Sequence, residues 1–306
     1  MSPIINYAEY FCNLLESNTS MSTASAAIET LYNALCASKA TTVTELNSEL
    51  DVVVTALAKT DHSSTSIRSA SDLFRRFISL APANLLDQPD FSRVLEFYKE
   101  RGRSFIERVG KSRALISNYS QGFLMKNTNI LTHSYSKVVL EALVQAKNHG
   151  INNHVWVTQS QPDQSGIKMH QELKKYNIKT TLILDSCVGY IMERVDIVVV
   201  GAEGVMETGG IINKIGTLSL SVCAKTMNKP VYVMAESIKF VKEYPLNQSD
   251  IPQEFKYRTS VLENNDLAEE HPLVDYTSPQ YINLLFTDLG ILTPAAVGEE
   301  LIKLYI

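Results

Sequence analysis

The chain has 306 residues, 45% of them hydrophobic and 20% charged, with a formal net charge of -5 at pH 7. This length can bury a full core in one large or two moderate domains, and the composition excludes a largely disordered chain. The acidic balance and a pI near 5.7 exclude a general nucleic-acid binder, which needs clustered Lys and Arg in excess. Cys12, Cys36, Cys187 and Cys223 lie far apart without a CxxC pair, so zinc and disulfide-framework readings fail and reduced, mostly buried thiols are expected. The six histidines show no H-x-x-x-H or H-E-x-x-H spacing, so no metal site is expected. No apolar run reaches the roughly 20 residues of a membrane span, and the opening MSPIINYAEYFCNLL is no signal peptide, so a cytoplasmic protein without a membrane partner is expected.

From Tyr7 to about Tyr119 apolar residues recur at three- and four-residue spacing, as at Ala27, Leu31, Ala34 and Leu35, and again from Leu46 to Leu57. Breaks rich in Ser, Thr, Asp, Asn or Pro fall at residues 18–22, 37–41, 61–65 and 81–90. Ser22 or Thr23 and Thr42 or Thr44 are placed to cap helices. Residues 1–120 are therefore expected to form a bundle of about five helices. The fifth, from Phe91, carries Arg93, Lys99, Arg101, Arg103, Arg108, Lys111 and Arg113, which reads as a solvated basic face or an anion-binding one. Its GKS at Gly110 to Ser112 lacks both the leading glycine and the preceding strand of a phosphate-binding loop.

From Asn129 the period changes. Strands expected at residues 130–132, 155–158, 180–184, 197–200 and 231–234 alternate with helices expected at 136–147, 166–176, 187–193 and 212–227. Such alternation means right-handed crossovers and a parallel sheet, so residues 121–306 read as a Rossmann-like α/β domain after the helical bundle. No glycine cluster fits the dinucleotide fingerprint. After Lys239 the prolines and the acidic run from Glu263 to Glu270 suggest a surface excursion. Ser278-Pro279 and Thr293-Pro294 both read as helix starts.

Ligands of open α/β sheets bind beyond the carboxyl ends of the strands. The stretch Val195 to Lys225, read as a buried strand, a glycine-rich turn and a helix, places Glu203, Asn213, Lys214, Gly216 and Thr217 there. His133 and Ser134, after the first strand, join them at a helix start that suits an anion. The alternative is that the glycines only shape a connection and that Ser134 or Ser136 only caps the helix. His133 and Ser134 are adjacent and should point apart, and no G-x-S-x-G elbow exists, so a serine hydrolase is excluded.

The stretches ILTHSYSKVVLEAL, LILDSCVGY, GAEGVMETGGIINKIGT and PVYVMAESIKF, with the closing segment from VDYTSPQY to KLYI, resemble the alpha, or regulatory, subunits of translation initiation factor two-B. The likeness reaches into the helical half through AAIETL and SIRSASDLFRRF. Wider relatives of that family are isomerases of ribose bisphosphate and methylthioribose phosphate, again with a helical and a Rossmann-like domain. The resemblance implies a non-catalytic regulatory subunit of the guanine-nucleotide exchange complex of factor two. It further implies a homodimer that contacts the beta and delta subunits, and through them gamma and epsilon, and that senses the phosphorylated alpha subunit of factor two. A sugar-phosphate isomerase and a purely architectural dimerisation subunit are the alternatives.

The isomerases carry a cysteine and an aspartate where this chain has Ser134 and Glu203. Serine is a far weaker acid than cysteine, and the longer glutamate displaces its carboxylate by about a bond length. The family's Glu-Ser-Arg-Pro reads Gln159-Ser160-Gln161-Pro162 here, which removes a guanidinium from any phosphate grip. No cofactor is expected, and a sugar phosphate or nucleotide is the candidate ligand. For the phosphorylated partner the resemblance directs attention to Thr42, Glu45, Ser66, Arg68, Phe74, Arg75 and Arg76. Seven- and eight-residue spacing puts the three arginines on one helix face, and arginine suits phosphate.

Overall fold

A computed structural model describes residues 6–18, 21–60, 62–80, 91–251 and 272–305. The chain divides into two compact units, residues 111–301 forming one and the remainder the other.

The helical unit holds α1 (Tyr7–Ser17), α2 (Thr23–Ala37), α3 (Val43–Ala58), α4 (Ser64–Ser79) and the first two thirds of α5 (Phe91–Ser120). Side-chain oxygens of Asn6, Ser22, Thr42 and Ser63 accept the backbone N–H three residues on, so each of the first four helices starts at a capping residue. Helix α2 is the centre of the bundle. Ala24, Ala26, Ala27, Ile28, Leu31, Ala34 and Leu35 are buried around most of its circumference, and its small residues let neighbours approach closely. Leu46, Leu50, Val53 and Leu57 of α3 and Ile67, Ala70, Leu73, Phe74 and Ile78 of α4 complete the core.

The α/β unit is built on a seven-stranded sheet of order β11-β10-β7-β4-β1-β2-β3, parallel except for the β10–β11 pair. Its strands are β1 (Asn129–Thr132), β2 (His154–Thr158), β3 (Lys179–Ile183), β4 (Ile197–Gly201), β7 (Val231–Met234), β10 (Leu284–Thr287) and β11 (Gly290–Leu292). Helices α6 (Lys137–Asn148), α7 (Ser165–Lys175), the single turn α8 (Val188–Ile191), α9 (Thr217–Thr226) and α10 (Val297–Tyr305) follow the strands. Strand β4 is buried throughout, as its unbroken β-branched run requires for a strand covered on both faces. The chain builds outward from β1 through β2 to β3, then returns to lay β4 on the other side of β1. That reversal opens a crevice at the carboxyl ends of β1 and β4.

The stretch after β4 departs from the expected single turn followed by a helix. Gly204–Met206 is strand β5 and Ile211–Lys214 is strand β6, an antiparallel pair. With β8 (Phe240–Val241) and β9 (Val274–Thr277) they form a second, four-stranded sheet of order β8-β5-β6-β9. The helix expected from Ile212 begins only at Thr217, because Ile211 and Ile212 are fully buried and Asn213 and Lys214 pair with Asp275 and Val274. Met206, Ile212, Val241, Ile251, Val274 and Tyr276 pack together beneath this sheet.

Two further expectations are corrected. Ser278-Pro279 opens only a three-residue 3-10 turn before β10, whereas Thr293-Pro294 leads into α10. The cysteines are not mostly buried: Cys36 is exposed and the other three are half-buried, all four with free thiols. The break at residues 81–90 and the excursion through Glu263 to Glu270 lie outside the described residues. Among the described residues no helix is long and apolar enough to cross a membrane.

Candidate functional site

The crevice lies wholly within the α/β unit, and its polar groups come from the stretches that follow β1, β2, β3 and β4 and from the last residue of β6. Ser134 (φ +66°), Ser160 (φ +60°) and Gln164 (φ +54°) all hold the left-handed conformation that favours glycine. Such backbone persists only where surrounding structure enforces it, and it clusters at binding sites. The enforcement is visible. The Ser134 N–H donates to Ser160 Oγ at 2.7 Å, and both carboxylate oxygens of Asp185 accept, from the N–H of Ser160 and of Gln161, each at 2.8 Å.

A polar chain links the two loops that flank the crevice. Ser134 Oγ and Ser165 Oγ are 2.8 Å apart, and the Ser165 N–H donates to Asp163 Oδ1 at 3.0 Å. Asp163 Oδ2 lies 3.0 Å from Lys214 Nζ, which also lies 3.6 Å from Glu203 Oε1. Burial opposes the charge on Lys214, but Glu203 and Asp163 outweigh it and hold the ammonium above its ordinary pKa. Burial likewise opposes the charge on Asp163, yet Lys214 and the Ser165 hydrogen bonds hold that carboxyl below its usual value. Lysine and aspartate thus keep each other ionised.

A second charged cluster borders the same edge. Glu236, just after β7 and 2% exposed, accepts from Arg113 Nε at 3.0 Å and pairs with Lys239 Nζ at 3.3 Å. Burial alone would raise its pKa, but Lys239 and Arg113 prevail and hold it at about 2. Lys239 Nζ also donates to the Ala202 carbonyl at 2.8 Å, tying this cluster to the end of β4. Lys137, in the first turn of α6, is brought down to about 8 by burial and by Arg113, Lys168 and Lys239. Three cations, Arg113, Lys239 and Lys137, thus stand about a single buried carboxylate, a potential suited to an anion.

Of the residues expected from sequence, Ser134, Glu203 and Lys214 meet in this crevice. His133 does not reach it as a ligand group. It is 3% exposed, its Nε2–H donates to the Ile215 carbonyl at 2.8 Å, and its Nδ1 lies 2.7 Å from Thr158 Oγ1. A carbonyl only accepts, so Nε2 carries the proton, and burial lowers the pKa so that the ring is neutral. His133 instead packs against Gly216, whose φ of +104° disfavours any side chain and where a Cβ would lie 3.0 Å from His133 Cε1. Thr217 is fully buried; its hydroxyl accepts from Asn213 Nδ2 at 3.0 Å and donates to the Lys214 carbonyl at 2.7 Å. Asn213, Gly216 and Thr217 therefore shape the turn that presents Lys214. Asp275 completes that turn, its Oδ2 accepting from the N–H of Gly216 at 2.8 Å and of Leu218 at 3.0 Å.

In the helical unit Thr42 caps α3, and Glu45 Oε2 accepts from the Thr41 N–H at 2.7 Å and from its hydroxyl at 2.8 Å. Arg68 and Arg76 are exposed on α4, and Arg75 pairs with Asp51 of α3. Ser66 and Phe74 point inward, at 4% and 0% exposure. Thr42, Glu45, Arg68 and Arg76 therefore lie on the surface, with Ser66 and Phe74 underneath.

Sequence reasoning did not single out Asp163, Ser165, Asp185, Glu236, Lys239 or Asp275. A usable signal existed for two of them: Asp185 and Glu236 each stand within two residues of the carboxyl end of a β-branched run, where sheet ligands bind. Asp275 carried none, because its strand and its partner β6 were not expected.

The profile of the Initiation factor 2 subunit family matches residues 16–294. The chain is 62% identical over 296 residues to a protein of Caenorhabditis elegans named translation initiation factor eIF2B subunit alpha, covering 97% of each. A Dictyostelium discoideum protein of the same name is 41% identical, with 96% of this chain and 95% of that one covered. A ribose 1,5-bisphosphate isomerase of Archaeoglobus fulgidus is 30% identical over 63% of each chain. The tetrameric eIF2B-beta2-delta2 complex from C. thermophilum contains a chain of the same fold, with a TM-score of 0.75 and 18% identity over 97% of this chain and 94% of that one. The relatives at high identity are named as subunits of a translation factor and those named as isomerases stand further off; the chain belongs to the Initiation factor 2 subunit family.

Proposed function

We propose that this chain is the alpha, regulatory, subunit of the complex that exchanges guanine nucleotide on translation initiation factor two, and that it does no chemistry of its own. It forms a homodimer through its α/β unit and joins the beta and delta subunits, and through them gamma and epsilon. Its helical unit meets the phosphorylated alpha subunit of factor two over the surface that carries Thr42, Glu45, Arg68, Arg75 and Arg76. The observation that carries this reading is the 62% identity over 97% of both chains to an eIF2B alpha subunit. The likeness of fold to a chain of a beta–delta complex supports the choice of partners.

The crevice supports the same reading. Proton transfer at a sugar carbon needs an acid and a base poised near the working pH. Here a serine hydroxyl occupies one position and is hydrogen-bonded to Ser165, while the Glu203 carboxylate is drawn to Lys214. The arrangement is fitted to hold a small phosphorylated ligand, a sugar phosphate or nucleotide, through Lys214 and the neighbouring cations, and it lacks the groups that would turn the ligand over. Nucleotide exchange on factor two, measured with the complex assembled with and without this chain, tests the proposal. Loss of inhibition by phosphorylated factor two when the chain is omitted is expected; inhibition that persists unchanged would reject the regulatory role.

A further inference from the structure

A second pocket lies at the opposite, amino-terminal edge of the seven-stranded sheet, around the first residues of β1, β2 and β3. Its volume is about 340 Å³, ample for a small metabolite. Five asparagines line it: Asn127, Asn129, Asn152, Asn153 and Asn177, together with Lys147 and Lys179. None of the described residues that line it is acidic. Lys147 Nζ is held at the rim by a 2.7 Å hydrogen bond to Asn152 Oδ1. His154, beside Lys179, is kept below its ordinary pKa by burial first and then by that lysine, so the positive charge of the pocket rests on the two lysines alone.

Asn153 is the informative residue. It is 7% exposed, and both its amide nitrogen and its amide oxygen are shielded from solvent without a hydrogen-bond partner among the described residues. A buried amide left unpaired at both ends is costly, and asparagine is a poor filler compared with a leucine of similar reach. The cost is recovered if something in the pocket pairs with the amide. The broad χ2 torsion of asparagine lets its carboxamide turn toward such a partner. A group that satisfies both ends at once presents a donor and an acceptor side by side, as an amide or imide does. The two lysines favour negative charge, and the one carboxylate bonded to the lining, that of Asp196, is taken up by the N–H of Asn129 at 2.7 Å and its Nδ2 at 3.2 Å.

We infer that this pocket is a binding site for a small anion that carries an amide-type edge, the edge pairing with Asn153 and the charge lying against Lys147 and Lys179. The site is separate from the crevice, which lies at the other end of the same strands. Two sources share this chemistry, N-acylated amino acids and acidic pyrimidines. N-acetylglycine and orotate serve as probes for them, with acetate supplying the charge alone and acetamide the edge alone.

The test uses the full chain, with binding followed through the side-chain amide signals of asparagine in ¹⁵N-labelled protein. The Asn153 signals are expected to shift on titration with N-acetylglycine or with orotate, and at least tenfold more weakly with acetate or acetamide. Which of the two binds more tightly identifies the source. Asn153→Leu should leave the free protein as stable as the wild type or more so, since it removes two unpaired polar atoms, and should abolish binding. Lys147→Met, at the solvated rim, should weaken binding about tenfold without unfolding risk. Absence of binding by either probe at millimolar concentration would overturn the inference. So would binding that survives both substitutions, or a crystal structure in which ordered water alone satisfies both ends of the Asn153 amide.

Discussion

Replacing Asp275 by Asn should change how the stability of the α/β unit depends on pH. Asp275 is 5% exposed in β9, with Oδ2 accepting two backbone N–H groups and Oδ1 without a hydrogen-bond partner among the described residues. Burial outweighs those two hydrogen bonds and raises its pKa from 3.8 to about 7. Because the folded-state value lies above the unfolded one, the folded protein binds the extra proton between about pH 4 and pH 7. The stabilisation is full below pH 4 and is lost as pH rises through 7. A rise of that size corresponds to about 4 kcal/mol across the window. Asparagine keeps an oxygen for both N–H groups and cannot ionise, so the variant should lose this slope. Trp156, the single tryptophan of the chain, lies on β2 and reports the unfolding of this unit by fluorescence. Urea titrations at pH 5 and pH 8 should show the variant gaining about 2.5 kcal/mol relative to the wild type at the higher pH, since only the two units from pH 5 to pH 7 fall in that interval. A difference that is the same at both pH values within about 0.5 kcal/mol would refute the reasoning.

Other substitutions probe the remaining parts of the account. Glu236→Gln strands Arg113 and Lys239 beside Lys137, and should cost about 3–5 kcal/mol of stability at pH 7, read from the same titration. In the wild type the fall of Glu236 from 4.5 to about 2 makes its contribution full above pH 4.5 and lost as pH drops towards 2. Gly166→Ala places a Cβ 1.7 Å from the Thr158 carbonyl oxygen and should cost about 3 kcal/mol or more, seen as a lowered melting temperature or insoluble expression. Lys214→Met should abolish the binding of a sugar phosphate measured by calorimetry, while the wild-type chain should leave ribose 1,5-bisphosphate unchanged over hours. Arg75→Ala with Arg76→Ala should reduce the preference for phosphorylated over unphosphorylated factor two, and unchanged discrimination would discard that surface.

The helical half and the parallel sheet were legible because each element there carries its own periodicity. Helix α2 shows its buried face in the spacing of Ala27, Leu31, Ala34 and Leu35, and β4 shows burial on both faces in an unbroken run of Ile and Val. The second sheet was not legible, because its strands run to four residues at most and β6 ends in Asn213 and Lys214, which read as a helix start. What fixes β6 as a strand is its pairing with Val274 to Thr277, some 60 residues away, a contact no local pattern encodes. For the same reason the crevice was only half visible. Ser134 and Glu203 follow strands and Lys214 lies on the stretch that Glu203 opens, so all three could be found by position, while Asp275 enters from the distant β9 to hold the turn that presents Lys214. His133 stands beside Ser134 in sequence, and position gave no sign that both of its ring nitrogens would lie at hydrogen-bond distance from Thr158 and Ile215.

The regulatory role is tested most directly by the rate of guanine-nucleotide release from factor two, catalysed by the complex with and without this chain, in the presence of the phosphorylated alpha subunit. The account predicts strong inhibition when the chain is present and near-uninhibited exchange when it is left out. Equal inhibition in both cases would contradict it.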